Sequence, residues 1–195
     1  MRRCLLMFLF SRPGPARINE FLIRASGEAF SYQHIGQTKD RPPELWVVDH
    51  NRVLIGQGLY DWEKAKEAIR TWKTFDLGWV ELWRSDTPIQ PGMTVAVLVD
   101  QLGFYSLNAA RIVYTFDEPA RFGFAYGTLQ SHVESGEERF TVERDPETEE
   151  VSYDLFAFSR PNSILVKIAY PYARHLQKRF AADSLAAMRR SIADL

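Results

Sequence analysis

Cysteine is nearly missing: Cys4 is the one such residue among 195. An intrachain disulfide is therefore excluded, the fold has to be held by its core, and the usage fits a reducing compartment. Histidine is scarce too. His34, His50, His132 and His175 share no spacing at which zinc ligands recur, and no cysteine pair joins them, so no metal site is expected. Charge of either sign is not in excess. The 24 Lys and Arg face 25 Asp and Glu, a net charge of −1, which gives no bulk attraction to nucleic acid. No apolar run reaches the length of a membrane span. A Gly-x-Ser-x-Gly elbow is absent, and Gly56-Gln57-Gly58 lacks the rest of a dinucleotide fingerprint. No cofactor is expected.

What is present is ordinary for a soluble globular protein: 46 % apolar and 25 % charged residues. The length suits one domain with a sizeable core, residues 1–30 forming a strand and helix extension. Arg2 and Arg3 before Cys4–Phe10 imitate a secretory leader. The apolar run is only seven residues, and Ser11–Ala16 offers no small-x-small cleavage site. We expect a buried first strand or an apolar docking segment, an inert thiol at Cys4, and a cytoplasmic protein.

The chain then reads as helix, strand, helix, six strands and a long last helix. Pro15–Ala29 has an apolar stripe of Ile18, Phe21, Leu22 and Ala25. Ser31–Thr38 reads as extended, and Arg52–Leu59 as a strand. Asp61 suits the N-cap of a helix running to about Phe75, with Trp62, Ala65, Ile69 and Trp72 on its buried side. Strands follow over Trp79–Trp83, Met93–Leu102, Leu107–Phe116, Arg121–Leu129, Glu137–Arg144 and Val151–Ser159. Their short connections predict antiparallel pairing. Pro171 opens the final helix, Pro171–Ile192, whose stripe of Ala173, Leu176, Phe180, Ser184 and Ala187 should cover one face of the sheet. Phe122, Phe124 and Tyr126 oppose Gly123, Ala125 and Gly127. Small residues on one face leave room for that helix or for a ligand. All five tryptophans lie between Trp46 and Trp83. They form either a thick core or an aromatic wall.

This order resembles the helix-grip fold, an α+β arrangement in which a curved antiparallel sheet of about seven strands wraps around a long C-terminal helix. More closely, the chain resembles an uncharacterised bacterial and plant family, domain-of-unknown-function family nineteen-ninety, of the START-like, polyketide-cyclase-like superfamily. Ser31-Tyr32, Ile35-Gly36, Asn51-Arg52-Val53 and Gly56-Gln57-Gly58 carry the likeness. So do Phe75–Leu82, Phe122–Leu129, His132, Gly136–Phe140 and Phe158–Pro161. Glu44-Leu45-Trp46 departs from the glycine-tyrosine of the pattern. The resemblance implies a cavity between sheet and last helix, and a small lipophilic or aromatic molecule as the partner.

Candidate site residues follow from residue type. Trp79, Arg111, Tyr126 and Tyr153 are the candidates for ligand contact, since such pockets are mostly apolar with few polar anchors. Arg111, inside an apolar strand, needs a partner: a ligand anion, Asp100, Glu138 or water. His132 and Glu138, within a group that includes Glu134 and Glu137, are the candidates for acid or base chemistry, with Asp76 assisting. The alternatives are a solvated charged loop for that group and a turn cap for Asp76. A third reading is an interaction module with no pocket.

Overall fold

The computed structural model describes residues 8–101, 103–161 and 170–193. In chain order its main elements are β1 (Phe8–Leu9), α1 (Pro15–Ala25), β2 (Val47–Gln57), α2 (Gly58–Arg70), β3 (Val80–Trp83) and β4 (Thr94–Gln101). Then come β5 (Phe104–Glu118), β6 (Arg121–Thr128), β7 (Glu134–Arg144), β8 (Glu150–Pro161) and α3 (Tyr170–Ala193). Cys4 lies outside the described residues.

The strands from β3 to β8 pair as successive antiparallel neighbours, as their short connections predict. Strand β2 closes the other edge against β8, giving the order β2-β8-β7-β6-β5-β4-β3, and the short β1 adds to β5. Register shifts at Leu54/Gly56 in β2 and at Ile112/Tyr114 in β5 are the bulges that bend the sheet.

The sheet has two buried faces. On the inner one, Phe124, Tyr126, Phe140, Tyr153 and Leu155 pack against α2, the turn that follows it and α3 through Trp62, Ile69, Trp72, Phe75 and Met188. Phe124 and Phe140 stack with ring centroids 5.0 Å apart. On the outer face, α1 brings Ile18, Phe21 and Ala25 onto Leu98, Leu107 and Ala109. The tryptophans divide between these settings instead of forming one block. Trp62 and Trp72 are buried in the inner core, and Trp83 joins the outer cluster. Trp46 packs edge-on against Phe158.

Four local expectations are corrected. Strand β2 starts at Val47, five residues before the expected Arg52, because inward-facing polar residues break its apolar pattern. Residues 31–38 are bends and a 3-10 turn, not a strand. Helix α2 begins at Gly58, so Asp61 sits within its first turn and reaches back to accept the Gln57 amide at 2.8 Å. It ends at Arg70; Trp72 then takes a left-handed conformation (φ 58°), and a 3-10 turn carries Phe75 into the core. The buried stripe of α3 is also wider than the one expected: Ala181, Met188 and Ile192 are buried with Ser184 and Ala187.

Candidate functional site

Between the inner face of the sheet and the first half of α3 lies a half-enclosed cavity of about 590 Å³. Its floor comes from β4 to β8, its edge from β2, and its roof from Ala173 to Leu185 of α3. Alternation decides what the strands present. In β7, Glu134, Gly136 and Glu138 fall on the inner face, and Gly136 leaves no side chain between the two carboxyls. Asp49 of β2, Ala157 of β8, Glu138 of β7 and Tyr126 of β6 share one rung across the sheet. The lining is therefore divided. Val97, Val99, Leu155, Leu176, Phe180 and Leu185 are apolar; Asp49, Asn108, His132, Glu134 and Glu138 are not.

The carboxyls are held away from their ordinary state. Burial pushes Glu138 up to about 8; the Tyr126 hydroxyl, donating to it at 2.8 Å, opposes the shift, while Glu134 and Asp49 add to it. Burial also pushes Glu134 up to about 7, against the Gln177 hydrogen bond and the nearby Arg174. Burial drives His132 down to about 4. Its Nδ1 accepts the Glu134 amide at 3.0 Å, which places the proton of the neutral ring on Nε2. Tyr126 itself is raised well above its ordinary value, first by burial and then by Glu138. Near neutral pH the polar wall thus carries a protonated carboxylic acid, a half-titrated one and a neutral imidazole.

Of the residues singled out in the sequence, His132, Glu138, Trp79 and Tyr126 meet on this lining. Trp79 is fixed by its indole N–H to Asp183 at 2.8 Å and by Arg179 above its ring at 4.3 Å. Tyr153 lies deeper, with its hydroxyl 3.0 Å from Ser184 of α3, fully buried and outside the lining. Arg111 is on the opposite face. It donates to the carbonyls of Ser26 at 2.8 Å and Ala25 at 3.4 Å, capping the C-terminus of α1, and to Thr94 at 3.2 Å. Its partners are thus backbone carbonyls and a hydroxyl, not Asp100 or Glu138. Asp76 is exposed and pairs with Lys73 at 3.7 Å, away from the cavity.

Sequence reasoning missed Asp49, Asn108, Arg174 and Gln177. Arg174, off the apolar stripe of the last helix, is half-buried and clamps Asp49 with bonds of 2.5 and 2.7 Å. The available signal was the polar interruption Asp49-His50-Asn51 inside a strand, whose alternate members point inward.

The outer face explains Gly127 of β6. A Cβ on Gly127 would lie 2.0 Å from the Tyr32 hydroxyl, so Tyr32, rather than α3 or a ligand, occupies that space. Tyr32 donates to Glu137 at 2.7 Å, joined there by the amides of Gly36 at 2.7 Å and Thr38 at 3.0 Å and by the Thr38 hydroxyl. Arg139 beside it bonds the Thr38 carbonyl at 2.7 Å and Asp154 at 2.8 Å. Ser31-Tyr32 and Ile35-Gly36, two of the motifs quoted above, thus fasten a loop to the back of the sheet.

Among the described residues no three His, Cys, Asp or Glu side chains are grouped to hold a metal ion, and no helix is long and apolar enough to cross a membrane. Comparison with known proteins gives a consistent picture. A "UPF0548 protein" of Dictyostelium discoideum is 35 % identical over 207 aligned positions, covering 95 % of this chain and 96 % of the relative. One from Deinococcus radiodurans is 38 % identical, covering 90 % and 93 %. Among solved structures, a point mutant of Thalictrum norcoclaurine synthase with a transition-state analogue superposes with a TM-score of 0.51 at 11 % identity, over 79 % of this chain and 98 % of that one. Ara h 8.0201 gives 0.50 at 10 % identity, over 77 % and 99 %. At such identities the likeness speaks for the helix-grip fold. The model of the family described as "Domain of unknown function (DUF1990)" matches residues 31–187, and the chain belongs to that family.

Proposed function

We propose that this protein binds a small amphipathic molecule between the sheet and α3. The observation that carries the proposal is the divided lining of a cavity of about 590 Å³. That volume falls in the range of small-molecule sites, roughly 300–1,000 Å³. Its apolar wall suits a lipophilic or aromatic body, and Glu134, Glu138 and His132 offer polar anchors at one side. Trp79 and Tyr126 border both regions. On this reading the chain acts as one domain, with β1 and α1 as an extension on the outer face.

The test is mass spectrometry of the purified full-length protein, native and after organic extraction, beside an Ala157→Phe variant that fills the floor. A stoichiometric small molecule in the wild type, lost from a folded Ala157→Phe, is the expected result. A clean mass, together with no thermal-shift response to a panel of lipids and aromatic metabolites, overturns the proposal.

A second reading, an enzyme of the cyclase or hydrolase type, is favoured by one observation. His132 and Glu138 line the same cavity, one held neutral and the other protonated near neutral pH. Glu138 would serve as general acid, with a pKa near the working pH, and the neutral His132 would offer its Nε2–H as a hydrogen-bond donor to the substrate. Asp76 has no part in this version, since it faces solvent. Untargeted metabolite profiling of an extract incubated with the protein tests it. A compound consumed by the wild type and spared by Glu138→Gln supports the enzyme; an unchanged profile removes it.

A further inference from the structure

We infer that the ligand of this cavity is an amphipathic amine, its ammonium group drawn to the wall that carries Glu138 and Glu134 and its apolar body along Leu155, Phe180 and Leu185. The inference rests on the reading of the cavity as a ligand site.

It follows from which hydrogen-bonding atoms at the polar end are already engaged. The donors that touch the two carboxyls are committed to them or to other protein groups. The Tyr126 hydroxyl donates to Glu138 and the Gln177 amide to Glu134 and Ser159. The Asn108 amide donates to Ser106 at 3.1 Å, and Arg174 to Asp49 and Gln177. On each carboxyl an acceptor stays open toward the cavity. Among the described residues, one oxygen of Glu138 and one of Glu134 receive no hydrogen bond. Both side chains line the cavity on one face of β7 with only Gly136 between them. Arg174, the cation near Glu134, is shared with Asp49, and two deep carboxyls are costly to leave charged. An ammonium brings three donors, no acceptor and the missing charge. An anionic head would meet two carboxyls. A hydroxyl head would leave the charge unmatched.

The electrostatics give the binding a direction in pH. The groups facing the two carboxyls are Tyr126 from β6, Asp49 from β2, His132 before β7, and Arg174, Gln177 and Lys178 from α3. Arg174 is committed to Asp49, and Lys178 is exposed. Burial holds the Glu134 and Glu138 carboxyls up at about 7 and about 8. An ammonium favours their charged forms, so it displaces protons on binding, and affinity rises as pH increases through that range.

The test uses the full chain and matched probes: octylamine, octanol and octanoate, then phenethylamine, 2-phenylethanol and phenylacetate. Each is titrated near pH 8 and followed by the protein's NMR spectrum. The amines are expected to bind about tenfold or more tightly than their partners, and Glu138→Gln and Glu134→Gln each to weaken them by a similar factor. Calorimetry in two buffers of different ionisation enthalpy should show proton release. An alcohol or acid that binds as well as its amine, or an amine indifferent to Glu138→Gln, overturns the amine and leaves the cavity reading standing. Silence from all six probes in the wild type, with spectra no different from Ala157→Phe, overturns both.

Discussion

Alternation along β7 sends Glu137 to the outer face of the sheet and Glu138 to the inner one, and the two carboxyls meet different surroundings. Outside, Glu137 is fully enclosed and accepts from Tyr32, from both a backbone amide and the hydroxyl of Thr38, and from the Gly36 amide. Inside, Glu138 has one donor, Tyr126, and a second oxygen turned to a cavity. The outer carboxyl is completed by the chain and fastens a loop. The inner one is completed by nothing among the described residues, and its pKa is pushed up to about 8. Adjacent residues of one type are thus completed by the chain on one side and left open to a cavity on the other.

The largest expected effect comes from breaking the completed side. Glu137→Gln puts an amide donor among four donors; a hydroxyl of Tyr32 or Thr38 can turn to accept from it, but the backbone amide of Gly36 or Thr38 on that side is stranded. Stability should fall by roughly 3 kcal/mol, read by chemical denaturation. A loss below about 1 kcal/mol would mean that water replaces the carboxylate. Next comes Gly127→Ala, whose Cβ would sit 2.0 Å from the Tyr32 hydroxyl and 2.8 Å from its ring. It should cost roughly 2 kcal/mol by overpacking. Because the clash involves the hydroxyl, Tyr32→Phe and Gly127→Ala together should cost less than their sum. Additive losses would place the strain elsewhere.

The inner side should respond with the opposite sign. The Glu138 pKa is raised from 4.5 to about 8, so its contribution favours the fold below about 4.5 and is lost as pH rises through 8. Glu134 acts likewise through about 7. His132, lowered from 6.5 to about 4, and Asp154, lowered by His50 and Arg139 against burial, lose their contributions as pH falls instead. Glu138→Gln should therefore stabilise the protein at about pH 9 by roughly 1–2 kcal/mol, allowing for screening by cavity water, and change little at about pH 5. Melting temperatures at both pH values decide this. Equal effects at both would mean that packing, not ionisation, governs the site.

The sequence made the architecture legible because period-two patterning and short connections leave few alternatives to an antiparallel sheet under a final helix. The site was legible in part, for a reason the two glutamates illustrate. Glu134, Glu137 and Glu138 read as one polar group along the chain; only the pleat separates them, and only the loop carrying Tyr32 and Thr38 explains Glu137. Asp49 and Arg174 were invisible as a pair because they meet across 125 residues of sequence. Arg111 misled for a related cause. An arginine in an apolar strand calls for a partner, and backbone carbonyls at a helix end leave no mark in the sequence.

Arg111 also gives the smallest expected effect and a control for the comparison of faces. It sits on β5 opposite Gly127, on the outer side, with its guanidinium on the Ser26 and Ala25 carbonyls and 5.5 Å from the Phe30 ring centroid. Replacing it by Gln removes a cation from the C-terminus of α1 and part of its cap, at roughly 1 kcal/mol. The loss should be local, so hydrogen exchange should quicken in α1 while α3 stays protected. Cavity binding should not change, since the sheet stands between this residue and the lining. A ligand whose affinity drops with Arg111→Gln would show that the two faces communicate through β5, and the division of labour between Glu137 and Glu138 would have to be redrawn.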